Sequence, residues 1–195
     1  MPGSSLWLVP PPDHPSHDTL SRLIAEILPA KFPSEVGPPF SPHMTLTSNI
    51  DPKVYGENPQ QWLDAIPWPS SGQVKVRFDA VKTEDVFFRR GYIKAEYNGV
   101  KDIAALARAR GVEGEDEVGP KTEEWLKWWT AAFGPHVSLI YGSDLVDEST
   151  LKEISNVVEE AGVHLGGGGW DGGVVWLVPT DRPIAEWKPI ATKTL

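Results

Sequence analysis

The chain contains no cysteine. That absence excludes disulfides, thiol nucleophiles and thiolate metal sites, and it fits a reducing compartment. No apolar run approaches the ~18 residues that read as a membrane span, and the N-terminus has no basic segment followed by an apolar one. Membrane insertion and secretion are therefore not expected, and the cytoplasm is the default location. Cations are also in short supply, with 18 Lys and Arg against 27 Asp and Glu and a net charge of −9. Proteins that grip long nucleic acids gain affinity by replacing counterions with Lys and Arg. An acidic surface repels polyanions at long range, so no long nucleic acid is expected as a partner. Any phosphate handled here belongs to a small ligand in a locally arranged pocket. What is present is 195 residues, 40% hydrophobic and 23% charged, the composition of a soluble globular protein. That length suffices for one large domain or two small lobes sharing a core, and a monomer is expected.

Along the chain, residues 5–9 form an apolar strand ended by three prolines. The next segment places Leu20, Leu23, Ile24, Ile27 and Leu28 on one helical stripe, with Pro29 and Pro33 predicted to end it. HMTLTS has the alternation of a strand, and NPQQWLDAIPW reads as a short helix stopped by Pro67. Val74, Val76, Phe78 and Ala80 share one face of a further strand, and 87–97 is an antiparallel strand candidate. DIAALARAR is helical, with Gly111 as its cap. Residues 111–120 are acidic and Gly-rich and mark the internal boundary. EEWLKWWTAAF then stripes Trp125, Trp128, Trp129 and Ala132, and STLKEISNVVEEAG is amphipathic through Leu151, Ile154, Val157, Val158 and Ala161. GGGGWDGG reads as a flexible turn into the strand VVWLVP, followed by an irregular tail. The expectation is an α+β protein, residues 1–195 forming one bilobal unit with largely antiparallel sheets flanked by helices.

One pattern occurs twice: FSPHMTL at 40–46 and FGPHVSL at 133–139. Side chains two apart on a strand share a face, so His43 pairs with Thr45 and His136 with Ser138, backed by Met44, Leu46, Val137 and Leu139. The preceding proline cannot donate to a ladder, so each His belongs at a strand start or an edge. Brought together, the strands make a pocket with two imidazoles and two hydroxyls. With an ordinary pKa of about 6.5, one imidazole can be neutral and the other protonated. Such a pair can take a proton from water and give one to a leaving oxygen, while the hydroxyls hold phosphate oxygens. A metal site would need a third ligand, and His-x-Thr is not a zinc pattern, so no metal or cofactor is expected. The bland reading of either motif alone is a hydrogen-bonded edge position; the repetition favours chemistry.

These motifs resemble the twin signatures of the 2H phosphoesterase superfamily. HVSLIY, the Trp-rich helix before it and SLWLVPP narrow the resemblance to the fungal 2′,3′-cyclic-nucleotide 3′-phosphodiesterases. The resemblance covers most of the chain and implies two pseudo-symmetric lobes with the active site in the cleft between them. It implies opening of nucleoside 2′,3′-cyclic phosphates to 2′-phosphates, and of ADP-ribose 1″,2″-cyclic phosphate, a product of tRNA splicing. By motif position His43 and His136 are the catalytic pair, and Thr45 and Ser138 bind phosphate. His43 is favoured as the acid protonating O3′ and His136 as the base, although pseudo-symmetry leaves that order open. Relatives also suggest a Golgi association. Tyr141 matches a substrate-contact position, yet strict alternation from His136 turns it to the opposite face unless a bulge or turn near Gly142 re-aims it. Two rival functions are RNA-end processing and a non-catalytic module that binds cyclic phosphates.

Other residues carry weaker signals. Thr47 extends the His43/Thr45 face, and His14, His17 and His164 read as solvated. Alternation sends Arg89 and Arg90 to opposite faces, so one of them could reach phosphate. Of the nine tryptophans, Trp170 and Trp187 are the candidates for stacking on a base. The glycine run lacks the strand–GxGxxG–helix context of a dinucleotide site.

Overall fold

A computed structural model describes residues 3–33 and 37–195. Its elements run β1 (Ser4–Val9), α1 (Pro15–Arg22), a π turn (Leu23–Ile27), α2 (Leu28–Lys31), β2 (Met44–Ile50), α3 (Pro52–Tyr55), α4 (Pro59–Ala65) and β3 (Lys75–Lys82). After a single turn (Phe87–Arg89) come β4 (Gly91–Ala95), α5 (Lys101–Arg108), a π turn (Ala109–Glu113), α6 (Pro120–Trp128) and a third π turn (Trp129–Phe133). The chain closes with β5 (His136–Ile140), α7 (Glu148–Glu160), β6 (Gly169–Asp171), β7 (Val174–Pro179) and β8 (Ala191–Thr194).

The strands form one antiparallel sheet in the order β6-β3-β4-β5-β2-β1-β7-β8. Its midpoint is the β5–β2 pair, so the two motif strands lie side by side at the centre. Each is the innermost member of a four-stranded half, and β4 matches β1, β3 matches β7 and β6 matches β8. The halves are not the stretches before and after residues 111–120, because β7 and β8 return to pair along the far edge of β1. The acidic stretch joins α5 to α6, where Glu115 accepts from the Gly119 amide and the Thr122 hydroxyl.

Alternation assigns the two sheet faces. Leu6, Leu8, Met44, Leu46, Val137 and Leu139 point into the main core, against Leu20, Leu23, Ile24 and Leu28, and with Ile103, Ile154 and Val158 from α5 and α7. Trp7, Val9, Tyr141, Val178 and Trp187 form a smaller aromatic cluster on the other face. Fully burying each aliphatic side chain is worth roughly 1.5–3 kcal/mol. A one-residue slip of either motif strand would expose its whole core set.

Several sequence expectations need correction. Pro29 does not end the first helix. It has no N–H and its ring crowds the carbonyl four residues back, and the π turn before it widens the backbone so that the Leu28 amide reaches Leu23. Gly111 lies buried inside a π turn, and the left-handed cap is Gly114, φ +68°. Val81 rather than Ala80 takes the core position on β3, because a bulge follows Phe78. The 87–97 strand is shorter, its first residues making the Phe87–Arg89 turn. The glycine-rich turn contains an edge strand, β6, and the tail contains β8, both recruited by backbone pairing that side-chain pattern does not report.

Candidate active site

Both histidines are prepared by their local sequence. His43 directly precedes β2 and His136 opens β5, as the preceding prolines required. In each motif Nδ1 donates to the carbonyl two residues back, His43 to Ser41 at 2.6 Å and His136 to Gly134 at 2.9 Å. Proline lies between donor and acceptor in both cases, and its fixed φ holds that turn. A carbonyl only accepts, so Nδ1 carries the proton and Nε2 is left for chemistry. Gly134 stands where the first motif has Ser41 because its φ is +64° as it leaves the π turn after α6, a region that disfavours a side chain.

The strands meet with Met44 opposite Val137. Carried one residue each way, this antiparallel register sets His43 across from Ser138 and Thr45 across from His136. Cross-strand partners stand about 4.5–5.5 Å apart at Cβ. All four line one cavity of about 270 Å³, together with Ser48, Tyr141, Arg89, Val86, Phe88, Trp128, Ala132 and Phe133. A larger groove of about 900 Å³ between α5 and α6 lies away from both motifs.

Tyr141 faces this cavity, and the cause is a bulge. Tyr92 pairs with Ser138 but Gly91 pairs with Ile140, so Leu139 is an extra residue in the ladder and alternation slips by one. β2 does the same, since Trp7 pairs with Thr45 and Leu6 with Thr47, leaving Leu46 over. Ser48 therefore turns to the cavity while Thr47 is buried with its hydroxyl unpartnered. Ser48 and Tyr141 both lie five residues after their histidine. The sequence reading missed Ser48, although that repeated offset was there to be found.

Burial lowers both imidazoles to about 4. The backbone bonds oppose that shift, and each ring is further depressed by a neighbouring cationic or protonatable group, His43 by the His136 imidazole and His136 by the Arg89 guanidinium. The two rings differ in their neighbours. His43 lies flat on Trp7, ring centres 3.6 Å apart at 12°. His136 meets Tyr92 and Phe133 edge-on, at 5.2 and 4.8 Å. Burial also pushes the Tyr141 phenol up, so it remains a hydrogen-bond donor. Phe40 stacks on its ring at 3.6 Å. The Ser138 hydroxyl donates to the Phe88 carbonyl at 2.7 Å, a bond a phosphate oxygen would have to replace.

The arginines divide their work. Arg89 lines the cavity, held by Glu84, the Tyr92 hydroxyl and the Ala132 carbonyl. Arg90 is buried and turned away, bonding Asp85 and the carbonyls of Gly142 and Ser143, which anchors the loop behind Tyr141. Trp170 is enclosed against Phe78, and Trp187 packs on Trp7 with its indole N–H on the Arg182 carbonyl. Neither is a free stacking surface. Trp128, expected on the core stripe, is exposed at the cavity instead, because α6 buries Thr122 and Leu126 and the inward tryptophan is Trp129. Ala132 is likewise outside the core. His14 caps α1 by accepting from the Ser16 amide. Among the described residues no helix is long and apolar enough to cross a membrane.

Two antiparallel half-sheets, each presenting a His-x-hydroxyl strand to a shared cavity, define a 2H phosphoesterase fold. A family model described as "Cyclic phosphodiesterase-like protein" matches residues 1–195, and the chain belongs to that family. It is 55% identical over 212 residues to a 2′,3′-cyclic-nucleotide 3′-phosphodiesterase of Neurospora crassa, covering 100% of both chains. A protein of the same name from Phaeosphaeria nodorum is 43% identical over 201 residues, again with 100% coverage of each. Another from Yarrowia lipolytica is 28% identical, with 98% of this chain and 99% of that one covered.

Proposed function

We propose that the chain hydrolyses nucleoside 2′,3′-cyclic phosphates to 2′-phosphates, and ADP-ribose 1″,2″-cyclic phosphate likewise, by acid–base catalysis that needs no metal. The observation that carries this reading is two imidazoles, each with Nδ1 fixed on a backbone carbonyl and Nε2 left over, in one cavity with two hydroxyls. Water attacks phosphorus as His136 Nε2 takes its proton. The P–O3′ bond breaks as His43 gives its Nε2 proton to O3′. One proton is gained and one given, so a proton exchange between turnovers restores the pair. Thr45, Ser138 and the Tyr141 hydroxyl hold the non-bridging oxygens, where charge concentrates in the transition state.

The order of roles rests on the neighbours. With pKa values lowered to about 4, both rings are neutral at pH 7 before substrate binds, and the bound phosphodiester anion supplies the field that favours protonation of one of them. An imidazolium is stabilised over the face of an indole, which His43 has in Trp7. A guanidinium opposes charge on the ring beside it, which is the position of His136 next to Arg89. His43 is thus the acid and His136 the base.

Phosphorus NMR of 2′,3′-cyclic AMP in excess chelator tests the reaction. The expected result is a single new signal, that of 2′-AMP; 3′-AMP, or no turnover until a divalent ion is added, would refute it. An oligonucleotide with the same cyclic end is expected to react more slowly than the mononucleotide, given the net charge of −9. Arg89→Gln tests the role order: removing the cation lets the His136 pKa rise, so the kcat/KM limb assigned to the base moves to higher pH. A limb that stays in place would assign it to another group.

A further inference from the structure

The cavity is polar at its floor and apolar along one wall. His43, Thr45, Ser48, His136 and Ser138 make the floor, while Val86, Phe88, Ala132, Phe133 and Trp128 make the wall. Trp128, Ala132 and Phe133 come from the end of α6 and the π turn after it, where Phe133 meets His136 edge-on, and Val86 and Phe88 come from the Phe87–Arg89 turn region, where Phe88 packs on Tyr141. Trp128 is the odd member. It is 53% exposed, the most exposed aromatic among the large exposed side chains, although the same helix buries its neighbour Trp129. Exposed apolar surface contiguous with a concave polar site marks a ligand contact. The indole is also held in place beforehand. It stacks on Phe133, ring centres 5.8 Å apart at 27°, and leans on Trp125 at 6.4 Å.

We infer that Trp128 is the platform on which the base of the nucleotide stacks, an inference that rests on the function proposed above. The cyclic phosphate on the floor fills the polar part of the cavity, and the base, attached one carbon from O2′, extends over the wall. In that pose O3′ lies on the side away from Trp128, toward His43. An indole face accepts any base, so the platform favours nucleotides over base-free sugars and the larger purine over the pyrimidine without reading base edges.

The test compares Trp128→Ala and Trp128→Phe on 2′,3′-cyclic AMP, 2′,3′-cyclic CMP and the base-free methyl β-ribofuranoside 2,3-cyclic phosphate. In Trp128→Ala the KM for cyclic AMP is expected to rise about ten-fold, within the range one base–aromatic stack supplies, and more than for cyclic CMP. Its kcat changes less than two-fold, the base-free substrate is unaffected, and Trp128→Phe recovers most of the loss. An unchanged KM for cyclic AMP, or an equal rise with the base-free substrate, overturns the inference. Titration with 2′-AMP and with inorganic phosphate is run in parallel: weaker binding of 2′-AMP alone in Trp128→Ala supports the platform, and equal 2′-AMP binding overturns it. Failure of the wild-type protein to turn over any cyclic phosphate would overturn the hydrolase reading, while the titration still decides the platform.

Discussion

Alanine at His43 or at His136 is expected to lower turnover of 2′,3′-cyclic AMP by about 10²–10⁴-fold. The double variant should lose little more than the worse single one, because the two rings act as a unit on one transition state. The singles separate on a substrate whose bridging 3′-oxygen is replaced by sulfur. A thiolate leaves without a proton, so that substrate restores most of the activity of His43→Ala. It does not restore His136→Ala, which still lacks the group that takes the proton from water. Steady-state kinetics on both substrates check this. Rescue of His136→Ala instead would reverse the roles, and full activity of either single variant on the oxygen substrate would remove the mechanism. Both rings are buried and held on backbone carbonyls, so circular dichroism and a thermal midpoint should accompany each variant.

The second large effect is on stability in acid. Both histidines are held at about 4 in the folded protein by burial, against 6.5 for the free side chain. Between pH 6.5 and 4 the unfolded chain therefore binds more protons than the folded one, and stability falls as pH falls. The stability present above pH 6.5 is lost on the way down through the folded pKa, at a cost on the order of 3 kcal/mol for each ring. A variant with glutamine at both His43 and His136 should show a shallower decline in urea midpoint between pH 7.5 and 4.5. Saturating 2′-AMP should act in the same direction in the wild type, because a bound anion lets a ring take up its proton. Asp64 and Asp147 also have lowered values, from their hydrogen bonds, and are common to both proteins, so the difference isolates the histidines. Parallel curves for the two proteins would show that the rings are not buried in their neutral form.

Much of the site was legible before the structure. The repeated seven-residue pattern named His43, Thr45, His136 and Ser138, and the cavity contains all four. The alternation argument worked up to the hydroxyl in each motif and failed beyond it. Leu46 and Leu139 are each an extra residue in their ladders, and a bulge depends on which partner strand supplies the opposing bonds. Tyr141 looked misdirected, Thr47 looked well placed and Ser48 was overlooked for this one reason. The prolines were read as strand boundaries. Their second effect, turning the Ser41 and Gly134 carbonyls back onto the imidazoles, shows only when the hydrogen bonds are drawn.

The tryptophans show the same division. Spacing put Trp128 on the buried stripe and left Trp170 and Trp187 as free surfaces, whereas the packed protein reverses these roles. Thr122, Leu126 and Trp129 keep ordinary helical spacing and form the inward face of α6 and the turn after it, which leaves Trp128 outside; a run of tryptophans does not by itself say which of them lies on that face.

By itself the sequence determined the local pattern: that two imidazoles and two hydroxyls come as matched His-x-hydroxyl pairs, and which apolar residues drive those strands into a core. Tertiary structure alone decided that the pairs share one cavity. That required β2 and β5 to become sheet neighbours, with β7 and β8 returning to the edge of β1. It alone also decided what distinguishes the halves, Trp7 under His43 and Arg89 beside His136. Pattern within a strand follows from covalent geometry and is written in consecutive residues. A neighbour contributed by another strand comes from the packing of the whole chain, and no single stretch records it.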